Sequence, residues 1–208
     1  RAQPGGQKES WETPEKVGCI ALTHDGRVIA AMETQIAVLS LKSAGQYEMT
    51  ALAKVQHPAP GMRFNDGRCD ASGRLWVGTM VMDMSLADNS GGLYCLDERG
   101  LTGPYVSNLY TPNGLAFSPD GTLLATGGGE PSRSGEVKLW KLPDGSVAQD
   151  LGSLHSDAVT SLAFSPRGDR LASAGADRFA RITVLTTNKP RFNLEGHTHH
   201  VIGVAWAP

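Results

Sequence analysis

Three histidines fall within four residues, His197, His199 and His200, and form the densest run of metal-capable side chains in the 208-residue sequence. Imidazole suits zinc and related ions, so the run invites a metal-binding reading. Cys19, Cys69 and Cys95 are odd in number and lack Cys-x-x-Cys spacing, which argues against a disulfide framework or a structural zinc site. They read instead as small core residues on or beside strands. Nucleophilic and phosphate chemistry lack their usual carriers, because the sequence has no Gly-x-Ser-x-Gly elbow, phosphate-binding loop or dinucleotide fingerprint. Asn113 precedes Gly114 at the start of a predicted strand, where its amide would satisfy turn backbone groups. Arg63 and Asp66 are close enough in sequence to pair at the surface.

The elements that position these groups follow from composition and from a repeat. With 25 Gly and 12 Pro among 208 residues, 40% of them hydrophobic, the chain is rich in turn formers and otherwise ordinary in apolar content. A net charge of −2 removes the electrostatic footprint of a nucleic-acid binder. No apolar run approaches the roughly 18 residues that span a bilayer. Residues 1–6 resemble neither a signal nor a transit peptide, so the chain reads as soluble with no compartment assigned.

Four segments share one pattern of apolar strand, Gly-bearing turn and second apolar strand, with turn glycines at Gly26, Gly73, Gly121 and Gly168. A period in the forties with several strands per unit is the mark of a β-propeller blade, since one four-stranded sheet cannot cover both of its faces alone. The expected fold is all-β: four complete four-stranded blades in a single domain spanning residues 1–208. Residues 201–208 copy an inner strand, and residues 7–13 sit where an outer strand belongs. The two termini are therefore expected to supply a partial fifth blade. Residues 201–206 should be an ordered strand in a sheet, with self-association through the terminal strands as the alternative route to covering it.

Residues 1–123 resemble the senescence marker protein/gluconolactonase family of six-bladed propellers. The carriers are Arg63-Phe64-Asn65-Asp66-Gly67-Arg68-Cys69-Asp70, Gly73-Arg74-Leu75-Trp76-Val77-Gly78-Thr79-Met80, Gly91-Gly92-Leu93-Tyr94-Cys95-Leu96-Asp97 and Pro112-Asn113-Gly114-Leu115-Ala116-Phe117-Ser118-Pro119-Asp120-Gly121. Residues 124–208 resemble WD-repeat proteins through Val137-Lys138-Leu139-Trp140 and Gly196-His197, with His155, Ser173 and Asp177 matching three members of that family's buried hydrogen-bonded tetrad. The fourth member should be a Trp near Thr183 and is absent. Gly-His followed by polar residues is ordinary WD sequence, which turns the His197–His200 run from a metal site into repeat structure. The same resemblance makes His155 a structural histidine, not a base.

The lactonase resemblance implies a divalent cation such as calcium or zinc, held by a Glu, the Asn of Asn-Gly-Leu and a later Asp that also serves as base. Asn113 is the Asn ligand by this resemblance; Arg63 and Asn65 correspond to substrate contacts, and Asp83 to an acidic one. The Glu would precede residue 1, and WD-like sequence replaces the blade carrying the Asp. Asp144 and Asp169 imitate that motif at the wrong repeat position. One neutral amide cannot hold a hard dication, so Asn113 reads as vestigial, with no cofactor and no tight metal binding expected. The sequence thus reads as a hybrid propeller, engineered or recombined within residues 117–129, that tests assembly from unlike propellers and carries no evolved catalytic activity. Two alternatives stand beside it: a weak metal-dependent lactonase, and a WD-type scaffold for a protein partner. No membrane, nucleic acid or defined ligand is implied.

Overall fold

The computed structural model of the chain describes residues 9–207 except Ala44, Pro143 and Asn188, with the backbone alone for residues 189–191. The first sheet holds β1 (Cys19–Leu22), β2 (Val28–Ala31), β3 (Gln35–Leu41) and β4 (Tyr47–Lys54). The second holds β5 (Met62–Cys69), β6 (Leu75–Val81), β7 (Gly91–Asp97) and β8 (Gly100–Leu109). β9 (Asn113–Phe117), β10 (Leu123–Gly127), β11 (Gly135–Lys141) and β12 (Val147–His155) form the third. The fourth comprises β13 (Val159–Phe164), β14 (Arg170–Gly175), β15 (Ala180–Val184) and β16 (Lys189–Leu194). Strands are antiparallel and adjacent in chain order within every sheet. The inner strands pack in sequence, β1 on β5, β5 on β9 and β9 on β13. These are the four expected blades.

The four repeat glycines make one turn four times. Each has a left-handed backbone, φ between +70° and +84°, and each donates its N–H to the carbonyl three residues earlier: Thr23, Asp70, Ser118 and Ser165. A side chain is strained at such a φ, which is why glycine recurs there. Between turns, the apolar alternation buries both faces of each sheet. Phe64, Leu75 and Val77 close on Ala31 and Ile36 between the first two blades. Trp76, Leu93 and Val106 meet Leu115, Leu124 and Trp140 between the second and third. Val137, Leu139 and Leu151 meet Val159, Leu162 and Leu171 between the third and fourth.

The changeover region keeps its register. Leu124 pairs with Phe117 and Ala125 with Ala116, with no break at residues 121–124. Leu115 and Leu124 are buried as the junction requires; Phe117 is only half-buried, packing on the edge of the cluster between the second and third blades.

The ends differ from expectation. Gln7 and Lys8 lie outside the described residues, and residues 10–13 form no strand. Trp11 instead donates its indole N–H to the carbonyls of Lys42 (2.9 Å) and Gln46 (3.1 Å), which fastens this segment to the first blade. Residues 201–206 belong to no sheet either. They run beside β13 in the same direction, Val201 N–H donating to Gly175 O (3.2 Å), Val204 N–H to Ser161 Oγ (3.3 Å) and Trp206 Nε1 to Ala163 O (2.9 Å). The segment is docked but has no second strand to pair with among the described residues. Of the thiols, Cys95 is buried and Cys19 half-buried, whereas Cys69 is exposed at the end of β5 and is no core residue.

Three tetrad residues of the fourth blade assemble as the WD resemblance implies. His155 Nε2 lies 2.8 Å from Ser173 Oγ, and its Nδ1 lies 2.9 Å from Asp177 Oδ1. Arg181, which the sequence reading passed over, joins them: its Nη1 is 2.8 Å from Asp177 Oδ2 and 2.6 Å from His155 Nδ1. Register places Thr183 opposite Leu171, as Trp140 stands opposite Leu124 one blade earlier. Trp140 donates to Thr126 Oγ1 (2.8 Å), whereas the hydroxyl of fully buried Thr183 has no partner among the described residues.

Two outcomes follow. A buried hydroxyl without a partner costs about 1–3 kcal/mol, so Thr183→Val, which removes it at nearly constant volume, should raise stability by about 1 kcal/mol in chemical denaturation. Burial, reinforced by the Arg181 cation and opposed by Asp177, holds the His155 pKa below its ordinary 6.5. The unfolded chain then takes up a proton at a higher pH than the folded one. His155 therefore contributes stability that is whole above about pH 6.5 and is lost as pH falls below it. Thermal melts between about pH 7.5 and 5 should show that decline, and His155→Gln should flatten it.

Candidate functional site

The residues singled out on the lactonase side collect where β5 and β9 enter their sheets. Pairing of β5 with β6 slips between Phe64 and Gly67, and pairing of β9 with β10 slips between Ala125 and Gly127. Each slip is a bulge, which bends the strand and re-aims the side chains it carries. Asn65 and Asp66 ride the first bulge, Asn113 and Gly114 the second, at equivalent places one repeat apart. Gly114 has φ +63°, and a Cβ there would stand 2.8 Å from the Leu162 nitrogen and Ser161 Cα, so no larger residue fits.

The two bulges clamp one another. Buried Asn65 donates from Nδ2 to Asn113 Oδ1 (2.8 Å) and to Pro112 O (3.0 Å). In return, Asp66 Oδ2 accepts the Gly114 N–H (2.6 Å) while its Oδ1 accepts from Gly67 N (2.9 Å). The structure thus brings Asn65 and Asn113 together and adds Asp66, which the sequence reading had assigned to a surface ion pair with Arg63. That pair does not form. Half-buried Arg63 donates to the Phe64 carbonyl (2.8 Å) instead, and burial lowers its pKa. The signal for Asp66 was available in the repeat itself: its place on the first bulge is the place of Gly114 on the second.

Asp83 stands apart from this clamp. It is exposed at the start of a short 3-10 turn (Met84–Leu86), where its carboxylate accepts from Ser85 N (3.0 Å) and Ser85 Oγ (2.6 Å). Those hydrogen bonds hold its pKa below the usual carboxylate range. His197, His199 and His200 are all exposed, the last two with ring centroids 4.6 Å apart. Asp144 and Asp169 cap turns, accepting from Ser146 N (2.9 Å) and Ser165 Oγ (2.9 Å) respectively.

The donor set around Asn113 does not fit the divalent cation that the resemblance implies. Calcium takes about six to eight oxygens, carboxylates among them. Here the Asn113 oxygen is already an acceptor for Asn65, and both Asp66 oxygens serve backbone N–H groups. A cation would have to displace the contacts that join the second blade to the third.

Known proteins divide along the chain in a similar way. Among curated relatives, a 6-deoxy-6-sulfogluconolactonase of Pseudomonas putida is 35% identical over 55% of this chain and 38% of its own length. Regucalcin of Danio rerio is 33% identical over 55% of this chain and 37% of its own. The F-box-like/WD repeat-containing protein TBL1X of Mus musculus is 28% identical over 67% of this chain and 25% of its own. The chain spans well under half the length of these relatives. Among solved structures, a luciferin-regenerating enzyme superposes with a TM-score of 0.75 over 95% of this chain and 68% of that one, at 21% identity. The Dos1 propeller does so with a TM-score of 0.66 over 88% and 48%, at 16% identity, so both support the propeller fold. Residues 149–183 match the model of the WD domain, G-beta repeat. Since residues 1–129 match the SMP-30/Gluconolactonase/LRE-like region, the chain belongs to that family.

Proposed function

We propose that this chain is a hybrid β-propeller, joined by recombination or by design within residues 117–129, that keeps lactonase-type architecture without metal-dependent lactone chemistry. One observation carries the reading: the oxygens nearest to a cation site, Asn113 Oδ1 and both oxygens of Asp66, are consumed in the clamp between two bulges. Lactone hydrolysis by a bound cation needs a polarised carbonyl and an activated water on an open coordination sphere. Residues that hold two blades together cannot also supply that sphere without loosening the fold.

A second reading has its own support. Arg63 is half-buried on β5, and no carboxylate pairs with it among the described residues. Such a guanidinium beside an amide is suited to a sugar acid or its lactone, and several relatives are named as lactonases. In this reading the chain is a weak lactonase.

Titration calorimetry with calcium and with zinc, beside hydrolysis of gluconolactone with and without each ion, separates the two. The expected result is no saturable metal binding in the micromolar range and no turnover above buffer. Metal-dependent turnover that disappears in Asn113→Ala would overturn the hybrid reading in favour of the lactonase.

A further inference from the structure

Residues 201–206 dock on the fourth blade as each inner strand docks on the blade before it. Phe64 N–H donates to Met32 O, Val159 N–H to Gly128 O and Val201 N–H to Gly175 O, the same bond at three successive blade boundaries. An offset of 42 residues carries His155, Val159, Leu162 and Phe164 onto His197, Val201, Val204 and Trp206. Register carries the third blade's face onto the fourth's in the same way. Ala125, Val137, Leu139 and Leu151 become Ala172, Ala180, Ile182 and Leu194.

The two boundaries differ by one missing strand. Between the third and fourth blades, Leu171 of the second strand closes the cluster together with Val159 and Leu162. Beyond the fourth blade, Val201 and Val204 are in place beside Ala174 and Ala180, but nothing among the described residues stands where Leu171 would. A groove of about 220 Å³ remains, lined by Ala172, Ile182, Leu194, Val204, Trp206 and His197. The consequence shows in one pair of equivalents: Leu151 is 8% exposed and Leu194 50%. His197 likewise lacks the hydroxyl and carboxylate partners that His155 finds in Ser173 and Asp177.

We infer that this groove is a docking site for a β-strand supplied by a separate polypeptide, added antiparallel to residues 201–206 in the register that β14 holds on β13. The chemistry of the partner is set by the equivalence. It carries a Leu to fill the groove against Leu194, small residues after it so that the backbones can pair, and a Ser two residues on to meet His197. An Asp four residues beyond the Ser completes the contact with the imidazole. Leu171, Ser173 and Asp177 of this chain satisfy that pattern, so its own residues 166–194, covering β14 to β16, serve as the probe. Main-chain pairing supplies affinity and the alternate side chains supply specificity. The docking does not depend on whether Arg63 or Asn113 retains any lactone chemistry.

The test uses the full chain and a fluorescently labelled synthetic peptide of residues 166–194. Saturable one-to-one binding is expected by anisotropy at concentrations up to about 100 µM, a modest affinity because the peptide must order as it binds. Val204→Asp in the chain should weaken it by about tenfold or more, and so should Ser173→Ala with Asp177→Ala in the peptide. Because a free peptide can fail to form its hairpin, the same segment fused after residue 207 is measured in parallel. Fusion should raise the melting temperature and slow hydrogen exchange at residues 201–206. The inference is overturned if neither arrangement protects residues 201–206, or if binding ignores both sets of substitutions. It is equally overturned if the chain alone dimerises through this edge, with the dimer lost in Val204→Asp, since the occupant would then be a second copy.

Discussion

A four-stranded sheet with two apolar faces must be covered on both, and this requirement governs the rest of the molecule. No blade here has a core of its own; each core lies between blades, made half by one sheet and half by the next. Burial of large side chains at these boundaries contributes about 1.5–3 kcal/mol each relative to exposure. Stability therefore depends on the match between neighbours more than on the identity of any single blade. That is why two unlike repeats can share one chain. At residues 115–124 the face presented to the second blade is lactonase-like, while the face presented to the fourth meets WD-type residues. Leu115 and Leu124 serve the first face, and Ala116 and Ala125 the second, from the same two strands.

The period was the most legible part of the sequence, because the turn glycines are fixed by a backbone angle that other residues reach only under strain. Strand identities followed from it, since alternation and turn chemistry point the same way in every unit. What the sequence did not reveal were the partners of polar groups. Arg63 and Asp66 are three residues apart and of opposite charge, yet bulging of β5 turns Asp66 towards Gly114 and leaves Arg63 on its own backbone. A bulge shifts register by one residue and has no strong composition of its own, so the local reading missed it. Residues 201–206 carry a strand's composition, but a strand exists only through a partner. Without one they stay docked by three hydrogen bonds and belong to no sheet.

The polar residues of the two halves arrive at one use by different chemistry. In the lactonase-like half, amides and a carboxylate join neighbouring blades across paired bulges. In the WD-like half, His155, Ser173, Asp177 and Arg181 tie the end of β12 to the strands and turn of the following sheet. Both networks cross a boundary between blades, where apolar packing is non-directional and tolerates sliding. Hydrogen bonds fix what packing leaves free, and buried charged partners make them stringent. An Asn or His in such a place is chosen for its directional contacts before any reactivity. When a family's catalytic residues lie on these same crossings, the groups left behind after the metal ligands are dispersed still have structural work, and their persistence in sequence is no measure of activity.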